Sequence, residues 1–258
     1  MVPTIDLWID QFIRDGYVHF PQLVPQRLVE AARERILRDV DQNYDAARLI
    51  EYNNQSWCPG LRGSPAILNL FNSDPVQSVV NEALGKNRFQ HDHGQIAIRK
   101  AHNSDQRYEP APHIDGIPTP HNGLKGTEIQ NFTALVGIFL TEVKTAFAGN
   151  FTVWPGSHFI LEKHFRERGK AALDEGMPSI PLGEPMQLLA KPGDLVLCHY
   201  ELAHSAAPNL SDNDRIAIFF RLWFKEIAAP EAKEQRWHNL THIWHGWPPR
   251  DSARPAGH

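Results

Sequence analysis

The stretch 215-RIAIFFRLWF-224 alternates without a break. In an extended chain Arg215, Ala217, Phe219, Arg221 and Trp223 fall on one face, and Ile216, Ile218, Phe220, Leu222 and Phe224 on the other. One face is wholly apolar and packs against further protein. The other carries two arginines and suits a functional interior, as in a strand of a barrel. A guanidinium placed there needs an anion, because an unpaired buried charge is costly. Two partners are open: a bound carboxylate gripped by the bidentate fork, or a protein acid such as Asp194 or Glu142.

Upstream, other short runs have the same texture: 94-GQIAIRK, 131-NFTALVGIFLTEV, 151-FTVW, 186-MQLLA and 194-DLVLCHY. Gly, Pro and Asn separate many of them, so the fold class is mainly β, a sandwich or barrel. One helical segment, 159-FILEKHFRERGKAALDEG, interrupts the series. The first 90 residues read mainly as helical. Asp6 caps a helix whose Trp8, Ile9, Phe12 and Ile13 share a face, Gly16 ends it, and 17-YVHF is a short strand. Pro25 opens a second helix with Leu28, Ala31, Ile36 and Val40 as its apolar stripe. Asp74-Pro75 opens another, with Val76, Val79, Val80 and Ala83 inside and Gly85 as its stop. No linker divides the halves. The expectation is one domain over 1–258, with a helical buttress over about 1–90, a β core over about 91–225 and an extension over 226–258. The aromatic 237-WHNLTHIWHGWP packs on the barrel or on a partner chain.

A formal charge of -4 with no basic block argues against a nucleic-acid partner. No run of 18 apolar residues occurs, so no membrane span is expected. The opening MVPTIDLWIDQF carries acids and lacks the basic and apolar regions of a secretory signal. Cys58 and Cys198 are therefore expected as free thiols in a cytoplasmic protein. Monomer and homodimer both stay open.

Histidine is abundant, with 14 in the chain, and most need bind nothing. The run 110-PAPHIDG stands apart. His113 and Asp115 lie at i and i+2, so an extended backbone points both to one side. His204, after the strand-like 194-DLVLCHY, can supply a third ligand from a distant strand. Two histidines and a carboxylate leave positions open on octahedral iron(II). Singly, each has a plainer role: a loop residue beside Pro112, a turn cap before Gly116, a polar strand end. Their combination with Arg215 carries the metal reading. Arg221 shares the face of Arg215, and residue types alone divide the anion role evenly between the two.

An ordered set of segments resembles the phytanoyl-CoA dioxygenase family of iron(II)/2-oxoglutarate oxygenases. These are 15-DGYVHFPQLVP, 113-HID, 148-AGNFTVW with 155-PGSH, and 193-GDLVLCHYELAHSAAPN, followed by Arg215. The likeness spans about residues 10–225. It implies a double-stranded β-helix, a cupin-like jelly roll, with flanking N-terminal helices. It implies Fe(II) on His113, Asp115 and His204, with 2-oxoglutarate and O2 as co-substrates and Arg215 on the far carboxylate. The implied reaction hydroxylates a small molecule and releases succinate and CO2. Ser205 and Ala206 follow His204 where the family often has Gly and then Ser, and Gly137 stands where it often has Trp, which would widen the pocket. Related halogenases lack the carboxylate, so Asp115 disfavours halogenation.

Gln95, Asn131, Thr133 and Ser205 are further candidates for polar contacts to the co-substrate. The polar loop 99–130 flanks the ligands and offers His102, Arg107, Tyr108, His121 and Lys125 to a substrate, although a solvent-facing role is plainer for each. Trp154 either lines the pocket or packs, and 91-HDH reads as a turn rather than a second metal site. Two other classes stay open: a cupin-like metalloenzyme independent of 2-oxoglutarate, and a non-catalytic small-molecule binder.

Overall fold

The computed structural model describes residues 5–119, 124–126, 128–229 and 232–249. Its helices are α1 (Ile5–Asp15), α2 (Gln26–Asn43), α3 (Leu49–Asn54), α4 (Pro65–Phe71), α5 (Asp74–Leu84), α6 (Ser157–Arg168), α7 (Lys225–Ala228) and α8 (Lys233–Thr241). Its strands are β1 (Tyr17–Phe20), β2 (Phe89–Gln90), β3 (Gly94–Arg99), β4 (Ala134–Phe139), β5 (Phe151–Val153), β6 (Met186–Gln187), β7 (Leu195–His199), β8 (His204–Ala206) and β9 (Arg215–Phe224).

Two antiparallel sheets form the jelly roll. β9 is the spine of the larger one: β4 pairs along one edge, and β3 and β2 share the other. β7 and then β1 continue the sheet beyond β4. The smaller sheet runs β6-β5-β8. Between the sheets lies an inner core that includes Leu135, Phe151, Val153, Val196 and Phe219. On the outer face of the larger sheet, Ile216, Ile218, Phe220, Leu222 and Phe224 pack against the N-terminal helices. The helices are therefore needed, since water would otherwise meet a sheet face of branched and aromatic side chains.

The helices follow local rules with two corrections. α1 begins at Ile5, so Asp6 lies within it instead of capping it. In α2 the buried residues are Val29, Ala32 and Ile36, whereas Ala31 is exposed and Leu28 and Val40 are half-buried. α5 buries Val76, Val79, Val80 and Ala83 and stops at Gly85 as expected. Cys58 and Cys198 are buried, free thiols, and burial pushes Cys58 up to about 12. No helix among the described residues is long and apolar enough to cross a membrane.

After α8 the chain returns across α1 and β7. Trp244 and Trp247 pack on Phe12 and on the His199 ring. His199 faces the Ile243 carbonyl through Nε2 at 2.9 Å and accepts the Glu201 N–H at Nδ1 at 3.1 Å. That pattern fits one neutral tautomer. Burial, and then the nearby His158, push His199 down to about 3. Its folded-state value is depressed, so its stabilisation is complete above the ordinary value of about 6.5 and is lost as pH falls towards 3. From pH 7 to pH 5 this one group should remove about 2 kcal/mol of stability. We expect His199→Gln to show a shallower loss over that interval in urea unfolding. Equal slopes for variant and wild type would contradict this.

Candidate metal centre

The centre begins with the backbone. His113 and His204 form a bridge in which each N–H donates to the other's carbonyl, at 3.0 and 2.9 Å. β8 pairs with β5, so the bridge adds the segment at His113 to the edge of the smaller sheet. Three residues on, Gly116 turns the chain at φ 79°, and the Gln130 N–H donates to its carbonyl. A Cβ at Gly116 would lie 2.6 Å from the backbone of Gln130 and Asn131, so only glycine fits this turn. Asp115 is thereby brought beside both imidazoles.

The Nε2 atoms of His113 and His204 lie 3.7 and 3.9 Å from Asp115 Oδ1. The three ligand atoms lie within 4.8 Å of one another. His204 Nδ1 faces the Leu202 carbonyl at 3.0 Å, which places the proton on Nδ1 and leaves the Nε2 lone pair for a metal. Arg221 holds the other carboxylate oxygen: its Nε and Nη2 donate to Asp115 Oδ2 at 3.0 and 2.5 Å. Its Nη1 donates to Gln95 Oε1 at 2.9 Å, and Gln95 Nε2 donates to the Gln55 carbonyl at 2.6 Å. This chain of contacts orients Asp115 and keeps Oδ1 free for coordination.

The electrostatics suit a divalent cation. Burial alone would raise the Asp115 pKa, but Arg221 and the two histidines outweigh it and hold the carboxyl well below its usual range. Burial, followed by the neighbouring His204, pushes His113 down to about 4. At neutral pH the site offers a carboxylate and a neutral His113 imidazole, the protonation state that metal binding requires. The donor set is the facial triad of non-haem iron(II).

The triad opens into a cavity of about 780 Å³ between the two sheets and α3. Arg215, Ser205 and Gln95 lie on its wall. Arg215 is 2% exposed; its Nε donates to the Gly149 carbonyl at 2.7 Å and its Nη1 to the Ala97 carbonyl at 3.1 Å. Neither suggested protein acid reaches it, because Asp194 is bonded to His19 and Glu142 to Lys144. Burial and then Arg99 lower Arg215 to about 9.

Other candidates are placed elsewhere. Asn131 Nδ2 donates to the Arg236 carbonyl, and Thr133 Oγ1 accepts the Phe224 N–H; neither lies on the cavity wall. Gln95 is on the wall but is engaged with Arg221. Gly137 does not widen the pocket, because Phe219 and Val196 fill the space a side chain would take. In the loop, His102 pairs with Asp212, Arg107 lies over Phe147, and Tyr108 and Lys125 are exposed. His121 lies outside the described residues. Trp154 packs in the inner core, and His91 packs on Phe71 just before β3. The sequence reading missed Arg99 and the α3 wall of Tyr52, Asn53 and Asn54. Arg99 had a signal: it follows Gln95 and Ala97 at period two on the cavity face of β3.

A jelly roll carrying a two-histidine, one-carboxylate centre defines a non-haem metalloenzyme. Residues 12–217 match the model of the phytanoyl-CoA dioxygenase (PhyH) family, and the chain belongs to that family of iron(II)/2-oxoglutarate oxygenases. No curated protein matches its sequence. Solved structures share the fold. The non-heme alpha ketoglutarate dependent epimerase SnoN from nogalamycin biosynthesis superposes with a TM-score of 0.60 at 19% identity, over 85% of this chain and 82% of that one. The non-heme monooxygenase ThoJ gives 0.56 at 20%, over 83% and 76%. HygX from Streptomyces hygroscopicus, with nickel and 2-oxoglutarate bound, gives 0.55 at 18%, over 87% and 88%.

Arg221 is a positioning residue for the metal ligand. Loss of such an outer partner typically costs 10–100-fold in metal affinity. We expect Arg221→Leu to weaken Ni(II) binding by about that factor in chelator competition, with Arg221→Lys intermediate. Unchanged affinity in Arg221→Leu would show that Asp115 is held by other means.

Proposed function

We propose that this protein uses Fe(II), 2-oxoglutarate and O2 to hydroxylate a small organic molecule, releasing succinate and CO2. Arg215 carries the reading: a buried guanidinium on the wall of the triad's cavity, with no carboxylate partner among the described residues. An iron centre would supply oxygen activation and oxidative decarboxylation of the keto acid, chemistry that the side chains lack. The chain supplies the positions. His113, Asp115 and His204 would hold the metal, and Arg221 and Gln95 keep Asp115 in place. Arg215 offers its remaining donors to the far carboxylate, and Ser205 is a neighbouring polar contact on β8. Phe151 packs against the His204 ring and Phe219, limiting water beside the metal.

The solved relatives include an epimerase, a monooxygenase and a carbocyclase, so this scaffold is compatible with several outcomes. Hydroxylation is favoured here because it needs only the common machinery. Anaerobic titration of the Fe(II) protein with 2-oxoglutarate tests the co-substrate. We expect Arg215→Ala to weaken binding roughly 100-fold, the equivalent of about 3 kcal/mol for a stranded buried charge. Arg215→Lys should fall between, since it keeps charge but loses the fork. Iron affinity should hold in both. Asp115→Ala should abolish succinate formation. If wild type takes up iron but no 2-oxoglutarate, the centre is that of a metalloenzyme independent of this co-substrate.

A further inference from the structure

Four charged residues line the cavity among the described residues: Arg99, Arg215, Arg221 and Asp115. Three are cations and one is an anion. Arg221 is engaged by Asp115. Arg215 has two backbone carbonyls and, in the proposed function, a carboxylate of 2-oxoglutarate. Arg99 has no such contacts. Its side chain makes no hydrogen bond or ion pair with any described residue.

The placement of Arg99 is built into the sheet. It is directly opposite Arg215 in the β3–β9 register, on the same face. Gly149 lies against both stems: a Cβ there would come within 2.9 Å of Arg99 Cβ and 3.2 Å of Arg215 Cβ. Gly149 also supplies the carbonyl that accepts from Arg215 Nε, so this carbonyl fixes one guanidinium and leaves the other free. Like charges directly opposite in a sheet destabilise it. Burial lowers the pKa of Arg99 against a smaller opposing effect of Tyr108, and at Arg215 burial and then the neighbouring Arg99 do the same. A structural ion pair would have relieved this, and among the described residues none is present.

Resting on the proposed function, we infer that Arg99 is the anion-binding residue of the primary-substrate subsite, and that the substrate carries a carboxylate or phosphate. The charges support this independently of geometry at the metal. A divalent ion is matched by doubly charged 2-oxoglutarate, and Asp115 by Arg221. Arg215 and Arg99 then remain as excess positive charge in a partly desolvated cavity, which favours a further anion. The α3 wall, with Asn53, Asn54 and the Trp57 ring beyond it, supplies amide and aromatic contacts for the rest of the molecule.

The test uses protein loaded with Ni(II) and saturating 2-oxoglutarate, titrated by calorimetry with acetate and, separately, with inorganic phosphate. The two arms distinguish carboxylate from phosphate preference. We expect wild type to bind at least one of them. Arg99→Gln should weaken that binding by about tenfold or more, and Arg99→Lys by less, while 2-oxoglutarate affinity stays within about threefold in both. Three results overturn the inference. The loaded wild type binds neither anion; the anion binds Arg99→Gln undiminished and so sits elsewhere, for example on the metal; or the Arg99 variants lose 2-oxoglutarate as severely as Arg215→Ala. The wild-type arm decides even if Arg99→Gln fails to fold. A wild type that never takes up 2-oxoglutarate in the loading step overturns the proposed function itself, which separates the two failures.

Discussion

Two backbone hydrogen bonds between His113 and His204 hold the centre together. They join chain segments that are remote in sequence, and they are backbone bonds, so they fix position before any side chain contributes. β8 is short and stands at the edge of the smaller sheet, where it pairs with β5. The bridge extends that sheet to the segment bearing the first two ligands. Once it forms, the ligand side chains have few alternatives: Gly116 turns the chain after Asp115, and the Leu202 carbonyl fixes the His204 ring. The larger sheet then supplies Arg221 from β9, which locks the carboxylate from the opposite side. Both sheets therefore meet at Asp115, and the centre exists only when the roll is closed.

Closure also explains the division of labour between the arginines of β9. Arg215 and Arg221 share a face yet stand roughly 20 Å apart along an extended strand, too far to address one carboxylate. The structure gives Arg221 an acid of the protein and Arg215 only carbonyls. An arginine already paired to a metal ligand is a poor receptor for an incoming anion, because binding one would mean breaking a charge-assisted pair. The arginine with carbonyl contacts keeps its net charge and is the better receptor. Burial stabilises this distinction, since a low dielectric strengthens whichever pair is present.

The architecture was legible where side-chain period and turn chemistry agree. The alternation over 215–224 predicted both faces of β9, and Val76, Val79, Val80 and Ala83 predicted the inner face of α5. The α2 stripe was misplaced at one position, Ala31, because several small and apolar residues allow neighbouring phases of a helix, and only the partner surface chooses between Ala31 and Ala32. The triad was legible as a combination, since i and i+2 in an extended segment is a local rule. The polar candidates were not: Asn131 and Thr133 look like cavity donors in sequence, but their partners, the Arg236 carbonyl and the Phe224 N–H, lie on segments remote from them. Gly137 likewise read as missing bulk, and the bulk comes instead from Phe219 and Val196 on adjacent strands. The α3 wall had no signal at all, because nothing local tells a helix that it will roof a cavity.

The same alternation that reveals the fold also separates its stability from its chemistry. Outward residues of β3 and β9, such as Ile96, Ile98, Ile218 and Phe220, belong to the helix-facing core. Inward residues on the same strands include Gln95, Arg99, Arg215 and Arg221. Adjacent arginines across a strand pair are unfavourable, and the sheet tolerates them because the opposite face is continuously apolar and covered by helices. A one-residue slip of β9 would put guanidiniums into the helix-facing core and Ile and Phe into the cavity, so register is tightly specified here. The cost of burying these charges is thus what makes the strand's orientation unambiguous, and the cations that a ligand would later neutralise help to choose the fold that presents them.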